Sequence, residues 1–295
     1  MIFIENEIAK SGAGASGQTE LARTVLENNF KIAYPSLLNE QQHIVSILDE
    51  AFAAIAKAKA NTEKNLQNAK ELFESYLQNV FANPGEDWGE KKLEDVCDLI
   101  SKGSSPKWQG VNYVDKPGVL FITSENVGEN ILLLDERKYV EEKFNIKDNK
   151  SILKNGDVLT NIVGASIGRT AIFDIDDIAN INQAVCLIRC KSKLLFNEFL
   201  MYLLNSPLTK QHLHDNEVNN ARANLSLGFF RSLSISLPPF IVQIELVKKI
   251  KQYHLQTKKL ETIYQQKLND LEELKKSILQ KAFRGELKTA KELAL

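Results

Sequence analysis

Two stretches of the chain carry the same spacing of apolar and polar residues. Residues 71–81 read ELFESYLQNVF and residues 273–283 read ELKKSILQKAF, with identical amino acids at six positions. In both stretches, alternating steps of four and three residues join the apolar positions into one stripe, the period of a helix that packs against another helix. The stripe contains Ile44, Leu48, Ile55, Leu72 and Tyr76 in the first copy, and Leu246, Ile250, Leu260, Leu271, Leu274 and Ile278 in the second.

The two stripes predict two long helices that pair with each other. Neither glycine nor proline interrupts residues 40–82 or 240–284, so each helix should run for about 40 residues, or roughly 60 Å. A helix of this length cannot bury its apolar stripe alone. The net charge is −5 over residues 1–87 and +5 over residues 237–295, which favours their association. Two unrelated amphipathic helices on separate cores are the alternative.

One polar pair interrupts the stripe at equivalent positions, Asn65 in the first copy and Lys267 in the second. A buried polar residue in such a stripe can specify the register of the two helices. A gap in the stripe that is open to solvent explains the same residues equally well, and both alternatives stay open at the level of the sequence.

The residues between the helices have the shorter, mixed pattern of a globular α+β domain. The predicted elements are a short helix at 93–100, a polar loop at 102–112, strands at 119–123, 157–163, 170–173 and 184–189, and a helix at 196–205. The chain is thereby divided into the end of a first domain (1–35), a spacer helix (36–83), a complete domain (84–237), a second spacer helix (238–285) and a tail (286–295).

Composition limits the class of protein. Apolar residues make up 43% and charged residues 25% of the chain, which is ordinary for a globular protein. The sequence contains no apolar run of about 18 residues and no visible signal peptide, so we expect no membrane span. Three cysteines suit a reducing cytoplasm. A net charge of −1 argues against a protein that coats nucleic acid over its whole surface.

Several short motifs fit enzymes only in part. Residues 12–17, GAGASG, match a dinucleotide-binding fingerprint but lack the flanking strands and the later acidic residue. Residues 236–240, SLPPF, resemble an adenine methyltransferase signature but have leucine where a side-chain acceptor is needed. Cys186 and Cys190 with His212 and His214 could be drawn as a zinc site, yet both cysteines fall on a predicted strand and are expected to be buried small hydrophobes. We therefore expect no catalytic residue, metal or cofactor.

A series of motifs nevertheless resembles one known family. In chain order they are WGEKKLEDV (88–96), KGSSPKW (102–108), FITSENV (121–127), KNGDVL (154–159), GASIGRT (164–170), NINQA (180–184), NLS (224–226) and LPP (237–239). Their order, with the two helices, resembles the specificity subunits of Type I restriction-modification systems. The resemblance covers most of the chain, from residue 35 to residue 285.

The resemblance implies a target-recognition domain at one end of an antiparallel two-helix coiled coil. It also implies double-stranded DNA as ligand, methyltransferase (M) subunits docked on the helices, and a nuclease (R) subunit that joins through the complex. Family members carry two recognition domains, one for each half of a bipartite DNA site, whereas this chain has one complete domain. It is therefore either a half-subunit that works with a second copy or a truncated specificity subunit.

The polar loops of the complete domain supply candidate DNA contacts. Lysine and arginine can hold phosphates, and amide side chains can read base edges. The candidates are Lys102, Ser104, Ser105, Lys107, Trp108, Gln109, Asn112, Ser124, Asn126, Asn161, Gly164, Ser166, Arg169, Asn182, Gln183, Asn219, Asn220 and Arg222. Ordinary solvated loops, and a tight structural turn at 164–168, are the alternatives. The competing functions are a coiled-coil scaffold that does not read DNA and, more remotely, a nucleotide-dependent oxidoreductase.

Overall fold

The computed structural model describes residues 34–115, 118–219 and 223–287. The helices in these ranges are α1 (Leu38–Ala82), α2 (Lys143–Lys147), α3 (Asn197–Asn205), α4 (Pro207–Asp215), α5 (Leu227–Ser232) and α6 (Phe240–Phe283). The strands are β1 (Gly89–Lys92), β2 (Cys97–Lys102), β3 (Tyr113–Val114), β4 (Val119–Ile122), β5 (Tyr139–Val140), β6 (Asp157–Asn161), β7 (Thr170–Phe173), β8 (Ala179–Ile181), β9 (Val185–Cys190), β10 (Val218–Asn219), β11 (Ala223–Asn224) and β12 (Ser234–Leu237).

The chain divides into two compact units. The globular unit is Lys70–Thr257, and the helical unit combines Met1–Ala69 with Lys258–Leu295, of which residues 34–69 and 258–287 are described. The proposed domain remnant at 1–35 and the tail at 286–295 lie almost wholly outside the described residues.

The two long helices have the predicted length, 45 residues in α1 and 44 in α6. Each copy also begins with the same anchor. The side-chain amide of Gln41 donates to the carbonyl of Pro35 (2.7 Å), and that of Gln243 donates to the carbonyl of Pro238 (2.9 Å). The internal repeat in the sequence is therefore also a repeat of local hydrogen bonding.

The helices pair with each other, as predicted, and run antiparallel. In the helical unit, Lys59 forms an ion pair with Glu272 at 2.7 Å, and the ammonium group of Lys275 lies over the ring of Phe52 at 5.4 Å. From residue 59 back to residue 52 of α1, the contacting residue of α6 changes from 272 to 275, so the two helices run in opposite directions. In the globular unit, the rings of Tyr76 and Tyr253 stack with their centroids 4.3 Å apart, and those of Phe73 and His254 do the same.

Eight of the eleven residues named for the predicted stripe are buried or half-buried. Ile55 and Ile250 are buried, and a further set is half-buried, namely Ile44, Leu48, Tyr76, Leu246, Leu271 and Ile278. Leu72, Leu260 and Leu274 are exposed instead. Phe73 follows Leu72 and Glu261 follows Leu260, and both of these following residues are half-buried. In α1, residues 58, 62, 66 and 69 are buried or half-buried. The steps from 58 to 62 and from 62 to 66 are both four residues long, whereas the predicted stripe has a step of three after residue 62. Such an insertion shifts the packed face of a helix by one residue.

Asn65 and Lys267 are both exposed, so the interpretation as a buried register-specifying pair is wrong and the solvated gap is correct. The buried polar residues of the two helices are Gln243, which anchors the start of α6, and the threonines Thr62 and Thr257. The hydroxyl of Thr62 donates to the carbonyl of Ala58 (2.8 Å), and that of Thr257 donates to the carbonyl of His254 (2.9 Å). Each hydroxyl donates its hydrogen bond within its own helix, so neither threonine specifies how the two helices pair.

The globular unit is α+β, with two four-stranded sheets in the orders β2-β9-β6-β7 and β3-β5-β4-β8. The first is antiparallel, and in the second β4 and β8 run parallel. The predicted helix at 93–100 is wrong: a short 3-10 turn (Leu93–Val96) leads into β2. Its buried residues at 93, 96, 97 and 100 have helical spacing, but pairing with β9 overrides that local pattern.

Cys186 is completely buried on β9, as expected for a small hydrophobe. Cys190, at the end of the same strand, is only half-buried, so the expectation is wrong for this residue. Among the described residues, no cluster of His, Cys, Asp or Glu side chains is arranged to hold a metal ion. None of the helices in the described ranges is long and apolar enough to cross a membrane.

Candidate nucleic-acid interface

The polar loops of the globular unit converge because of the direction of its strands. Since β2 and β6 both pair antiparallel with β9, they end where β9 begins. β4 and β8 are parallel and therefore end together. The backbone N–H of Asn182 donates to the carbonyl of Ile122 (3.0 Å), and that of Ile162 donates to Ala184 (2.9 Å). These bonds bring the ends of both sheets together. We call the surface formed by residues 102–112, 123–127, 164–169 and 182–184 the loop edge.

Gly103 holds the first of these loops against the last. A β-carbon at this position would lie 1.7 Å from the carbonyl oxygen of Ile181 and 3.0 Å from that of Asn182. No side chain fits in this space, so glycine is required by the close approach of the two backbones rather than by its dihedral angles. The start of the 102–112 loop is thereby placed beside the turn that contains Asn182 and Gln183.

The substitution Gly103→Ala is expected to destabilise the protein by about 2 kcal/mol or more, because two backbone segments must move apart to admit a methyl group. Urea unfolding followed by circular dichroism measures this. Gly89→Ala is the matched control, since its β-carbon would meet no atom within 4 Å and should change stability by less than about 0.5 kcal/mol. Equal stability of the two variants would contradict the close approach at Gly103.

Two of the predicted DNA contacts lie inside the unit and hold the loops instead. Asn161 is completely buried, and its amide donates to the carbonyls of Ser124 (2.9 Å) and Val127 (3.3 Å). Asn126 is 8% exposed; it accepts from the N–H of Thr123 and donates to the carbonyl of Leu133, both at 2.9 Å. Because these side chains face inward, we withdraw both from the direct contacts.

The 164–169 loop presents one cation from a glycine-framed turn. Gly164 and Gly168 have φ angles of +76° and +86°, a conformation that disfavours other residues. The backbone N–H of Gly168 donates to the carbonyl of Asn161 at 3.0 Å, which closes the turn, and the neighbouring side chain of Arg169 is exposed. Ser166 is half-buried. The structural-turn alternative and the phosphate-contact prediction are thus compatible, since the turn positions the arginine.

The 102–112 loop is held by some of its polar residues and exposes others. The hydroxyl of Ser104 donates to the carboxylate of Asp148 (2.6 Å), and the amide of Gln109 donates to Ser104 (3.1 Å). Asp148 is buried. No local pattern in the sequence marks it as a loop anchor, because it lies 44 residues along the chain from Ser104. Ser105 is half-buried, while the exposed side chains are those of Lys102, Lys107, Trp108 and Asn112.

The remaining candidates divide between a turn and an undescribed segment. The side-chain oxygen of Asn182 accepts from the N–H of Ala184 (3.0 Å), and both Asn182 and Gln183 are half-buried. Asn220 and Arg222 lie outside the described residues, as does the side chain of Asn219.

A carboxylate beside the loop edge is held ionised by its surroundings. The backbone N–H of Asn112 donates to Glu141 at 2.7 Å, and Lys143 forms an ion pair with the same carboxylate at 2.8 Å. These two contacts lower the pKa of Glu141. Through its contact with the backbone N–H of Asn112, the carboxylate holds the end of the 102–112 loop.

The family model for the Type I restriction modification DNA specificity domain matches residues 2–66 and 85–273, which is more than half of the chain. The chain belongs to this family. The matched residues include the loop edge and most of both long helices, so membership covers the scaffold as well as the candidate interface.

Curated relatives of this specificity-domain protein are specificity subunits. It is 29% identical over 275 residues to the Type I restriction enzyme EcoBI specificity subunit of Escherichia coli, covering 85% of this chain and 57% of the relative. It is 23% identical over 300 residues to the MjaVIII specificity subunit of Methanocaldococcus jannaschii, covering 97% of this chain and 68% of the relative. The chain thus spans little more than half the length of the E. coli protein.

Solved structures share the fold of this specificity-domain protein. One similar chain comes from work on complex assembly and conformational transition of the type I R-M system, with a TM-score of 0.79 and 21% identity over 97% of this chain and 69% of that chain. Another is the HsdS subunit of Thermoanaerobacter tengcongensis, with a TM-score of 0.63 and 22% identity over 97% and 68%.

Proposed function

We propose that this protein is the non-catalytic specificity subunit of a Type I restriction-modification complex and that it binds double-stranded DNA through the loop edge. The observation that carries the proposal is the convergence of four polar loops at one edge of the globular unit in a member of the specificity-domain family. The strands supply a rigid base, and the loops supply the variable chemistry.

The exposed side chains of the loop edge provide both kinds of DNA contact. Lys102, Lys107 and Arg169 are exposed cations, which suits contacts to phosphates. Trp108 is 78% exposed, and Asn112 is exposed as well. The aromatic ring can pack against base edges, and the amide can form hydrogen bonds with them. Because the chain as a whole has a net charge of −1, DNA affinity must come from this local group rather than from a general positive field.

The proposed partners are M subunits, docked on α1 and α6, and an R subunit that joins through the assembled complex, in the cytoplasm. We infer that the globular unit of this chain, Lys70–Thr257, reads one half of a bipartite DNA site. We propose that a second copy supplies the other half, as a homodimer. A monomeric, truncated subunit that reads a single half-site is the alternative.

The test is to purify the chain with its cognate M subunits, incubate the complex with a pool of random DNA duplexes, and sequence the retained DNA. We expect one enriched motif that occurs twice with a fixed spacing, and native mass spectrometry should find two copies of this chain. A motif that occurs once, with one copy of the chain, would support the truncated subunit. Retention of the pool without enrichment would refute sequence recognition.

The coiled-coil scaffold is not favoured, because family membership extends through the globular unit and not only along the helices. The two functions separate in a gel shift with the M subunits present. A scaffold would leave the mobility of duplex DNA unchanged when this chain is added to M, whereas a specificity subunit would retard the DNA.

A further inference from the structure

Two cysteines face each other across neighbouring strands at the end of the sheet opposite the loop edge. Cys97 on β2 is paired directly with Cys190 on β9. The backbone N–H of Lys191 donates to the carbonyl of Val96 at 2.9 Å, which makes residues 96 and 191 a hydrogen-bonded pair. The next pair, Cys97 and Cys190, is of the non-hydrogen-bonded kind, in which the Cα atoms of a regular ladder approach to about 4.5 Å. The register of β2 against β9 shifts only beyond this pair, between Cys97 and Leu99.

This spacing suits a covalent bond between the two sulfurs. Disulfides join cysteines whose Cα atoms are about 4.4–6.8 Å apart, and side chains of directly opposed residues lie on the same face of the sheet. Both cysteines are free thiols in the structure. We propose that Cys97 and Cys190 are a site of reversible oxidative modification, a cross-strand disulfide that joins β2 to β9.

Oxidants can reach one member of the pair. Cys190 is half-buried and lines a surface cavity of about 350 Å³, together with Lys154, Arg189, Ser192 and Lys193. Cys97 is only 6% exposed. The thiol at position 190 is therefore the point of entry for a small-molecule disulfide, and the thiol at position 97 is the resolving group behind it.

The reaction balances with a low-molecular-weight disulfide as the oxidant. The sulfur of Cys190 attacks one sulfur of the small disulfide, and the first small thiol leaves with a proton. The sulfur of Cys97 then attacks Cys190 in the mixed disulfide and expels the second small thiol, which takes the remaining proton. Two protein thiols are oxidised, one small disulfide is reduced, and an excess of small thiol reverses the reaction.

The surroundings make this modification slow. The hydrogen bond to Cys97, followed by burial, raises the pKa of the Cys190 thiol. The thiolate is the attacking species, so the site stays reduced during brief exposure to an oxidant and responds to a sustained change of redox conditions.

The third cysteine is excluded by its position. Cys186 pairs across the strands with Lys102 rather than with Cys97. It is completely buried in the core, and this burial raises the pKa of its thiol. The geometry therefore selects one pairing among the three cysteines.

The experiment treats the full chain with oxidised glutathione at pH 8, blocks free thiols after denaturation, and digests without reductant for mass spectrometry. We expect one linked peptide pair that contains Cys97 and Cys190 and that dithiothreitol separates. Because the bond closes a long loop, the midpoint of thermal unfolding should rise on the order of 10 °C in the oxidised protein.

Two variants make the result specific. Cys186→Ala should still form the linked peptide, and Cys190→Ser should lose both the linked peptide and the response of the unfolding midpoint to oxidised glutathione. Complete alkylation of Cys97 and Cys190 after prolonged oxidation, or a link that involves Cys186 in the wild-type protein, would overturn the proposal. Circular dichroism of each variant before oxidation establishes that it is folded.

Discussion

Replacing Lys102, Lys107 and Arg169 together by alanine is expected to weaken the binding of duplex DNA by roughly 100-fold, since each removes about 1 kcal/mol of charged contact. The three side chains are exposed on neighbouring loops of one edge, where a DNA backbone can meet all of them. A protein that loses three phosphate contacts should also show a shallower dependence of log affinity on log salt, by about three units of slope. Fluorescence anisotropy of the complex with M subunits, at several salt concentrations, measures both quantities.

The matched control for this variant is Lys91→Ala. Lys91 is an exposed lysine on β1, a strand that belongs to a different sheet from those that form the loop edge. Its removal should leave both the affinity and the salt slope within experimental error of the wild type. If the control and the triple variant weaken binding equally, the loop edge has no special role and the affinity arises from general charge.

Replacing Arg189 by methionine is expected to lower the free energy of unfolding by about 3 kcal/mol. Arg189 binds the carboxylate of Asp157 with two hydrogen bonds, of 2.8 and 2.7 Å, and a third goes to the carbonyl of Ile152 (3.1 Å). Asp157 is almost completely buried, and its remaining contact is the backbone N–H of Lys154 at 2.7 Å. Methionine keeps the packing of the chain stem but leaves a buried carboxylate without its cation. Urea unfolding at neutral pH gives the free energy.

Arg137→Met tests whether burial is the cause. Arg137 also forms an ion pair with an aspartate, Asp177, at 2.8 Å, but both side chains are about 40% exposed. Exposed pairs contribute little because water solvates the separated charges nearly as well, so this variant should lose less than about 1 kcal/mol. Similar losses in both variants would mean that the Asp157 carboxylate is solvated after the substitution.

Much of the fold follows from local pattern. The lengths of α1 and α6 and the mutual pairing of these helices were predicted from one repeated stripe, and β7 and α3 were located to within one residue. The stripe was less accurate residue by residue: Leu260 and Leu274 are exposed where burial was expected. The period of a helix specifies which face is apolar, but an insertion in the spacing shifts that face by one position.

The candidate interface was predicted as a set of loops and not as a surface. Glycines at 103, 164 and 168 and the cations around them were visible as motifs, and the family resemblance gave them a common purpose. The inward orientation of Asn126 and Asn161 was not visible, because their partners are carbonyls on other loops, as far as 37 residues away along the chain. Polar residue type alone does not distinguish a side chain that reads DNA from one that holds a loop.

The sequence by itself determined the two long helices, the α+β class of the domain between them and the family, since periodicity, breaker residues and ordered motifs are local properties of the chain. Only the tertiary structure decided that residues 97–102 form a strand, which loop side chains face solvent, and that Cys97 lies opposite Cys190. The physical reason is that strand pairing joins residues nearly one hundred positions apart, and a buried hydrogen bond outweighs the preference of either residue alone.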